Sequence, residues 1–438
     1  MTTLTASQTW PHFEADVGRA QALGGPAWLQ TIRREGATRF AELGLPHHRQ
    51  EAWRFTNVTP ITKAGLRPAL NQPGRAVQPA EITPLLYCPS WPRIVFVDGV
   101  YAPALTSIKK IAAGVRFGSL AEAITAGDPI IQQNLGKHAA ATSGFVAMNS
   151  ALLHDGAFLH VPDGIALDEP VHILHIATGA KEAAAHARNL VVLGKSASAS
   201  VVESYIGLAP EAAYLTNLVS EFVLGDNASL HRHKVVEEGA RGHHLESAAF
   251  VQGWDSKLET FAITLSGAIV RNELNLLLAG ENANAELKGL YLNDGDRLID
   301  NHLNVTHAAC HCYSRMGYKG VLDGKSSAVF TGKVHVLPGA QKTDSNQLNN
   351  NLLLSGDATI DTKPQLEIFA DDVKCTHGAT IGGFPREHIF YFQSRGMTAA
   401  MANAILTYGF ASEVVHAITA PELRARLAKY VFDKYSPK

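Results

Sequence analysis

The chain has 438 residues, of which 46% are hydrophobic and 18% charged, with 38 basic against 40 acidic side chains and a net charge of −2. Such a composition can bury a sizeable core, which excludes a disordered chain, and the balanced charge argues against a protein built to hold nucleic acid or an anionic membrane. No apolar run reaches the ~18 residues of a membrane span, residues 1–6 (Met1-Thr2-Thr3-Leu4-Thr5-Ala6) lack a signal peptide's basic start and apolar block, and four cysteines make no disulfide framework, so a reducing cytoplasm is the expected home.

The first ninety residues read as helices and loops. Leu29, Ile32, Phe40 and Leu43 recur at helical spacing, and Gly44-Leu45-Pro46 closes that helix, predicted over residues 28–43. Between 72 and 92 the prolines Pro73, Pro79, Pro84, Pro89 and Pro92 mark an irregular lead-in. From Arg93 to about Ile381 short β-rich runs alternate with turns, and one helical interruption is predicted over 120–135. A degenerate unit recurs there: an apolar residue, then Gly, a charged residue and small residues. It appears as Leu193-Gly194-Lys195-Ser196, Leu224-Gly225-Asp226-Asn227 and Leu278-Ala279-Gly280-Glu281-Asn282, and again around Gly324 and Gly356, at irregular spacing. A strand–turn unit without strict period favours a parallel β-helix over a β-sandwich. After Pro385 three helices are expected: 397–410 stopped by Gly409, 412–418, and one from Pro421 whose Arg424, Arg426 and Lys429 form a solvated face. The fold class is therefore mainly β: a parallel β-helix over 93–384, an N-terminal helical region over 1–92 and a C-terminal helical region over 385–438.

Several motifs suggest chemistry and are outweighed by plainer readings. Gly320 to Ser326 has three residues, not four, before Gly324-Lys325-Ser326, and a strand rather than a helix follows; it is a turn, and the chain shows no nucleotide site of its own. Cys310-His311-Cys312 would place both thiols on one strand face, but no second pair stands at zinc spacing, so structural cysteines are expected. His231, His233, His243 and His244 are read as strand-face or turn residues. Glu273, Glu286 and Asp300 could serve as general acid and base in a secreted-type β-helix enzyme acting on polyanionic polysaccharide; solvated strand positions are the simpler reading. In Lys374-Cys375-Thr376-His377, if extended, Cys375 and His377 share a face, and a thiolate beside an imidazole suits iron or zinc. Two ligands do not complete a site, and a buried Cys with a hydrogen-bonded His is the competing interpretation.

The same stretch, Asp371-Asp372-Val373-Lys374-Cys375-Thr376-His377-Gly378-Ala379-Thr380, closely resembles the signature of the SufD family of the SUF iron–sulfur cluster assembly machinery. Ile389-Phe390-Tyr391-Phe392-Gln393-Ser394-Arg395-Gly396-Met397 continues the likeness. So do Glu51-Ala52-Trp53-Arg54-Phe55-Thr56 after Gly44-Leu45-Pro46, and Phe96-Val97-Asp98-Gly99 and Asn149-Ser150-Ala151. The paralogous SufB typically carries His-Glu-Ala-Thr where this chain has His377-Gly378-Ala379-Thr380, and Gly382-Gly383-Phe384-Pro385 departs from the SufD pattern.

The resemblance implies a right-handed β-helix between helical domains and a non-enzymatic scaffold role. It implies edge-to-edge pairing with SufB, with Cys375 and His377 at the junction as ligands, shared with SufB, of a transient iron–sulfur cluster. It also implies docking of the SufC ATPase on the C-terminal helices through Ser394, Arg395, Gly396, Met397, Ala404, Ile405 and Phe410. A homodimer of the isolated chain and a flavin in the complex are left open.

Overall fold

A computed structural model describes residues 10–70, 73–109, 111–180 and 183–436; the leader expectation for residues 1–6 lies outside them. The N-terminal region carries α1 (Phe13–Ala22) and α2 (Ala27–Leu43), the latter ending at Gly44 in the left-handed region at φ 60°. Their apolar faces, with Trp10, Phe13, Phe40 and Trp53, close over Phe145 and Met148. The proline-rich lead-in is irregular apart from a four-residue helix, Pro79–Ile82, and one 3-10 turn.

The body is a parallel β-solenoid. It begins with β1 (Arg93–Val97), β2 (Val100–Tyr101) and β3 (Arg116–Ser119). Three short helices then interrupt: α3 (Leu120–Thr125), α4 (Pro129–Asn134) and α5 (Gly144–Ala151). The first two fall in the predicted interruption. The third went unread because all eight of its residues are buried and it shows no solvent-facing polar stripe.

Eight coils follow, each giving one strand to each of two sheets. One sheet takes β4 (Ala157–Val161), β6 (Arg188–Leu193), β8 (Tyr214–Leu224), β10 (Gly242–Gln252), β12 (Ile269–Leu278), β14 (Leu298–His307), β16 (Ser327–Val336) and β18 (Thr359–Ile368). The other takes β5 (Val171–Ala177), β7 (Ser198–Gly207), β9 (Ser229–Glu237), β11 (Lys257–Ser266), β13 (Asn284–Asn293), β15 (Tyr313–Leu322), β17 (Asp344–Leu353) and β19 (Lys374–Gly382).

The repeat has a physical cause. At one corner of successive coils Ser196, Asn227, Asp255, Asn282, His311 and Lys342 all sit at φ 53–61°. Each donates its backbone N–H to a carbonyl one coil on, from Ser196 to Asp226 at 2.8 Å through Lys342 to Asp372 at 2.6 Å. Short polar residues tolerate that conformation, which explains the Asn, Asp and Ser in the unit. Glycine precedes several of them because the stacked turns touch: a Cβ on Gly280 would lie 2.1 Å from the Trp254 nitrogen. The corner residues are 27 to 31 apart, so the period is far tighter than the sequence spacing suggested. Gly324 belongs to a second corner, stacked on Gly295, and β16 follows it directly.

The lumen is apolar over most of its length. One stretch is charged: Arg232 bonds Glu203 and Glu246, and Lys234 bonds Glu246 and Asn272, all buried.

Beyond β19 come α6 (Arg386–Gln393), α7 (Ala399–His416) and α8 (Pro421–Tyr435). The expected break at Gly409 is corrected: α7 runs through it as one helix. Ala411, Val414 and Val415 beyond it pack on the outer sheet face against such residues as Phe261 and Leu290, and that burial outweighs the ~1 kcal/mol helix cost of a glycine. The basic face of α8 is not wholly solvated, since Arg426 bonds the Pro84 carbonyl at 2.8 Å and lies 5.1 Å over the Tyr87 ring.

Candidate functional site

The last coil leaves the solenoid open. β18 and β19 end their sheets, each paired on one side only. β19 lies parallel on β17, with Cys375 opposite Ser345 and His377 opposite Gln347. Thr376 and Thr380 point outward, bonding Asn346 at 2.7 Å and Asn350 at 3.0 Å. Strand alternation therefore turns Cys375 and His377 together toward the lumen side of the open end.

Cys375 is half-buried and packs on the lumen core. Burial pushes its thiol pKa up, opposed by a backbone hydrogen bond from Ser345, so the isolated chain keeps it a thiol. Beneath it Ser345 and Ser314 share a 2.9 Å hydroxyl contact, and Ser314 lies 2.9 Å from His307 Nε2. His377 is exposed. Around the same end Leu348, Ile368, Phe369 and Ile381 are exposed apolar residues, beside strand edges whose backbone groups have no neighbour on one side. The pair supplies one sulfur and one nitrogen donor. Among the described residues no cluster of three or more His, Cys, Asp or Glu is placed to hold a metal ion.

The other sequence candidates lie elsewhere. The Cys310-His311-Cys312 run is a corner turn, not a strand, with His311 at φ 57°. Cys310 donates to the Gly339 carbonyl at 3.1 Å and Cys312, buried, to Gly280 at 3.3 Å. His231 pairs with Glu259 at 2.9 Å; although burial raises the Glu259 pKa, bonds from His231 and Lys288 bring it down to about 2. His233 stacks on Phe261, His244 bonds Glu238 at 3.1 Å, and burial lowers the pKa of His233 and His243 to about 4.

Of the three carboxylates, Glu286 is an ion-paired surface residue, 2.6 Å from Lys288. Asp300 is not solvated: it is buried against Arg271, Thr56 and His302. Asp300 and Glu273 line a cleft of about 730 Å³ beneath Trp53 and Phe55, where Arg271 lies 3.9 Å over the Trp53 ring. Held in these pairs, Asp300 anchors the N-terminal Trp53–Thr56 segment to the solenoid.

Ser394, Arg395, Gly396 and Met397 form the link between α6 and α7, with Gly396 at φ 82° and Arg395 3.7 Å over the Tyr391 ring. Ile405 is exposed and Ala404 half-buried. Phe410 is turned toward the solenoid, under Lys319 at 4.6 Å. Residue-level reading missed that Phe390, at 70% exposure, with Tyr391, Met401 and Phe432, carries most of the exposed apolar surface there. The unbroken apolar run Ile389-Phe390-Tyr391-Phe392 was the available signal.

Comparison with known proteins agrees with this architecture. The SufBD core domain of SUF-system FeS cluster assembly matches residues 175–410, and the SufBD N-terminal region matches residues 20–173. The chain belongs to the SufBD family. It is 30% identical to the iron–sulfur cluster assembly protein SufD of Escherichia coli, over 96% of this chain and 95% of that one. A Synechocystis SufBD family protein is 29% identical, covering 92% and 90%. Protein ABCI7, chloroplastic, of Arabidopsis thaliana is 27% identical, covering 92% and 85%. As a SufBD chain it carries the two matched regions in the order of its structure, helices first and then the coils. No helix among the described residues is long and apolar enough to cross a membrane.

Proposed function

We propose that this SufBD protein is a scaffold subunit of iron–sulfur cluster assembly and does no chemistry of its own on the cluster's components. The observation that carries the reading is the open solenoid end: two unpaired strand edges, an apolar rim, and Cys375 and His377 turned to the same side. A parallel strand edge with free N–H and C=O groups pairs with another edge of the same kind. A SufB-type β-helix would extend both sheets there. The nascent cluster, as cargo, would sit at the junction, taking sulfur from Cys375 and nitrogen from His377, with the remaining ligands from SufB. The exposed face of α6 and α7, with Phe390, Tyr391, Met401 and Ile405 and the predicted Ser394–Met397 link, would receive a SufC-type ATPase, whose closure would strain the paired ends and open the junction.

The test is an anaerobic pull-down of the tagged chain from its own cells, with bound proteins identified and visible absorption recorded, for wild type, His377→Ala and Cys375→Ala. Wild type is expected to bring an ABC-type ATPase and a second β-helix subunit. His377→Ala should bring both, with cluster colour and transfer to an apo-ferredoxin strongly reduced. Normal assembly by His377→Ala would remove the ligand assignment, and recovery of the wild-type chain without either partner would remove the scaffold reading.

A further inference from the structure

The two strand edges of the open end are not alike. In a parallel ladder successive residues turn their N–H and C=O groups to opposite neighbours. Thr359, and Phe369 just past the strand, donate to the coil beneath, to the carbonyls of Ser326 at 3.0 Å and Val336 at 2.9 Å, and the register between them is unbroken. The odd-numbered residues of β18 therefore bond downward, and Ile360, Thr362, Pro364, Leu366 and Ile368 face the open side. In β19, Lys374 donates to the Thr343 carbonyl at 2.8 Å, so the residues facing the open side are Cys375, His377, Ala379 and Ile381. Pro364 thus stands mid-way along the free edge of β18, with its ring where an incoming strand would look for an N–H. One residue earlier or later it would break the ladder to β16; where it is, only a partner meets it. The charges follow the same division. β18 carries Asp361, Lys363 and Glu367, with Lys363 paired to Glu51 of the N-terminal segment and Glu367 to Lys333 at 2.8 Å. From Cys375 to Gly382, β19 has no Asp, Glu, Lys or Arg, and Ile381 is 50% exposed. Proline and charged side chains are what keep a sheet edge from pairing; β18 has both and the pairing stretch of β19 has neither.

We propose that β19 carries the junction: its edge takes a strand of a second β-helix in one unbroken ladder, through the N–H and C=O groups of Cys375, His377, Ala379 and Ile381, while Pro364 breaks the corresponding ladder on β18. Both candidate ligands lie among the four pairing residues, so the ladder that joins the chains also fixes the backbone of Cys375 and His377. This rests on the reading of the open end as the junction with a second β-helix, and it adds which edge holds the partner and which residue interrupts the other.

The test is residue-resolved amide hydrogen exchange of the full chain, first dilute, then with a strand donor: a second copy of the chain at high concentration, and the β-helix subunit recovered in the pull-down. With a donor bound, the amides of Cys375, His377, Ala379 and Ile381 should exchange at least about tenfold more slowly, while those of Thr362 and Leu366, on either side of Pro364, should stay fast. Pro364→Ala should slow Thr362 and Leu366 as well. Ala379→Pro places the same block on β19. It removes an N–H that faces the open side, so urea unfolding should match wild type, while capture of the donor should weaken about tenfold, the worth of a net hydrogen bond of the upper ordinary size. Equal slowing of both edges in wild type would overturn the proposal, as would fast exchange at Thr362 and Leu366 in donor-bound Pro364→Ala, or full capture by folded Ala379→Pro. No slowing on either edge with either donor would overturn it too. The two readings fail separately. Equal slowing of both edges leaves the scaffold reading standing. Normal cluster assembly by His377→Ala removes the ligand role and leaves the exchange pattern standing.

Discussion

The charged stretch of the lumen allows the sharpest stability test. Glu246 takes Arg232 Nη2 at 2.5 Å and Lys234 Nζ at 2.6 Å, and Arg232 Nε bonds Glu203. Glu203 also accepts from Asn189 at 3.3 Å and Tyr205 at 3.2 Å, and Lys234 reaches Asn272 at 2.6 Å. All four charged side chains are at most 3% exposed, and two cations balance two anions. Burial alone would raise the Glu246 pKa; Arg232 and Lys234 overcome it and hold the carboxylate ionised. Glu246→Gln leaves two buried cations facing one carboxylate. Removing one partner of a buried pair costs about 3–5 kcal/mol, a large share of the ~5–15 kcal/mol that holds a typical domain. Lys234→Met leaves an excess anion and should cost a similar amount. The double variant Glu246→Gln/Lys234→Met is neutral again and should be more stable than Glu246→Gln alone. Equilibrium urea unfolding with unchanged slope measures all three. A loss under about 1 kcal/mol for Glu246→Gln, or a double variant whose cost is the sum of the singles, would show that these charges are not coupled as their geometry requires.

Acid should weaken the fold for a separate reason. Burial lowers the pKa of His172, His175 and His186 to about 3, below the ~6.5 of the unfolded chain. Their depressed values make the folded state lose stability as pH falls below about 6.5, by about 2 kcal/mol for each at pH 5; a urea midpoint that does not drop between pH 7.5 and 5 would contradict their neutral burial. Gly280→Ala should destabilise by about 1–3 kcal/mol because its Cβ meets the backbone of Trp254 and Gly253, whereas Gly356→Ala has open space and should be nearly neutral, as thermal unfolding of the two variants would show.

How much was legible from sequence differs by element. α2 was readable because its apolar residues keep helical period and Gly44 ends it at positive φ. α7 was misdivided because Gly409 reads locally as a stop, while the apolar face beyond it finds the solenoid wall. The coil repeat was visible only in part: Gly253-Trp254-Asp255 belongs to the corner ladder but carries a tryptophan where the pattern had small or charged residues.

The sequence by itself favoured the solenoid over a β-sandwich, since a strand–turn unit with recurrent Gly and Asn, Asp or Ser runs on for nearly three hundred residues. It also placed Cys375 and His377 on one face, because a strand's two-residue period is a local property. Only the tertiary structure decided that this face lies at an open end, that Cys310 and Cys312 turn a corner, and that Asp300 is locked beneath the N-terminal segment. It alone sets Gln347 beneath His377, across 30 residues of chain. Stacking register joins residues one coil apart, and register depends on how many residues each corner takes, which no local pattern records.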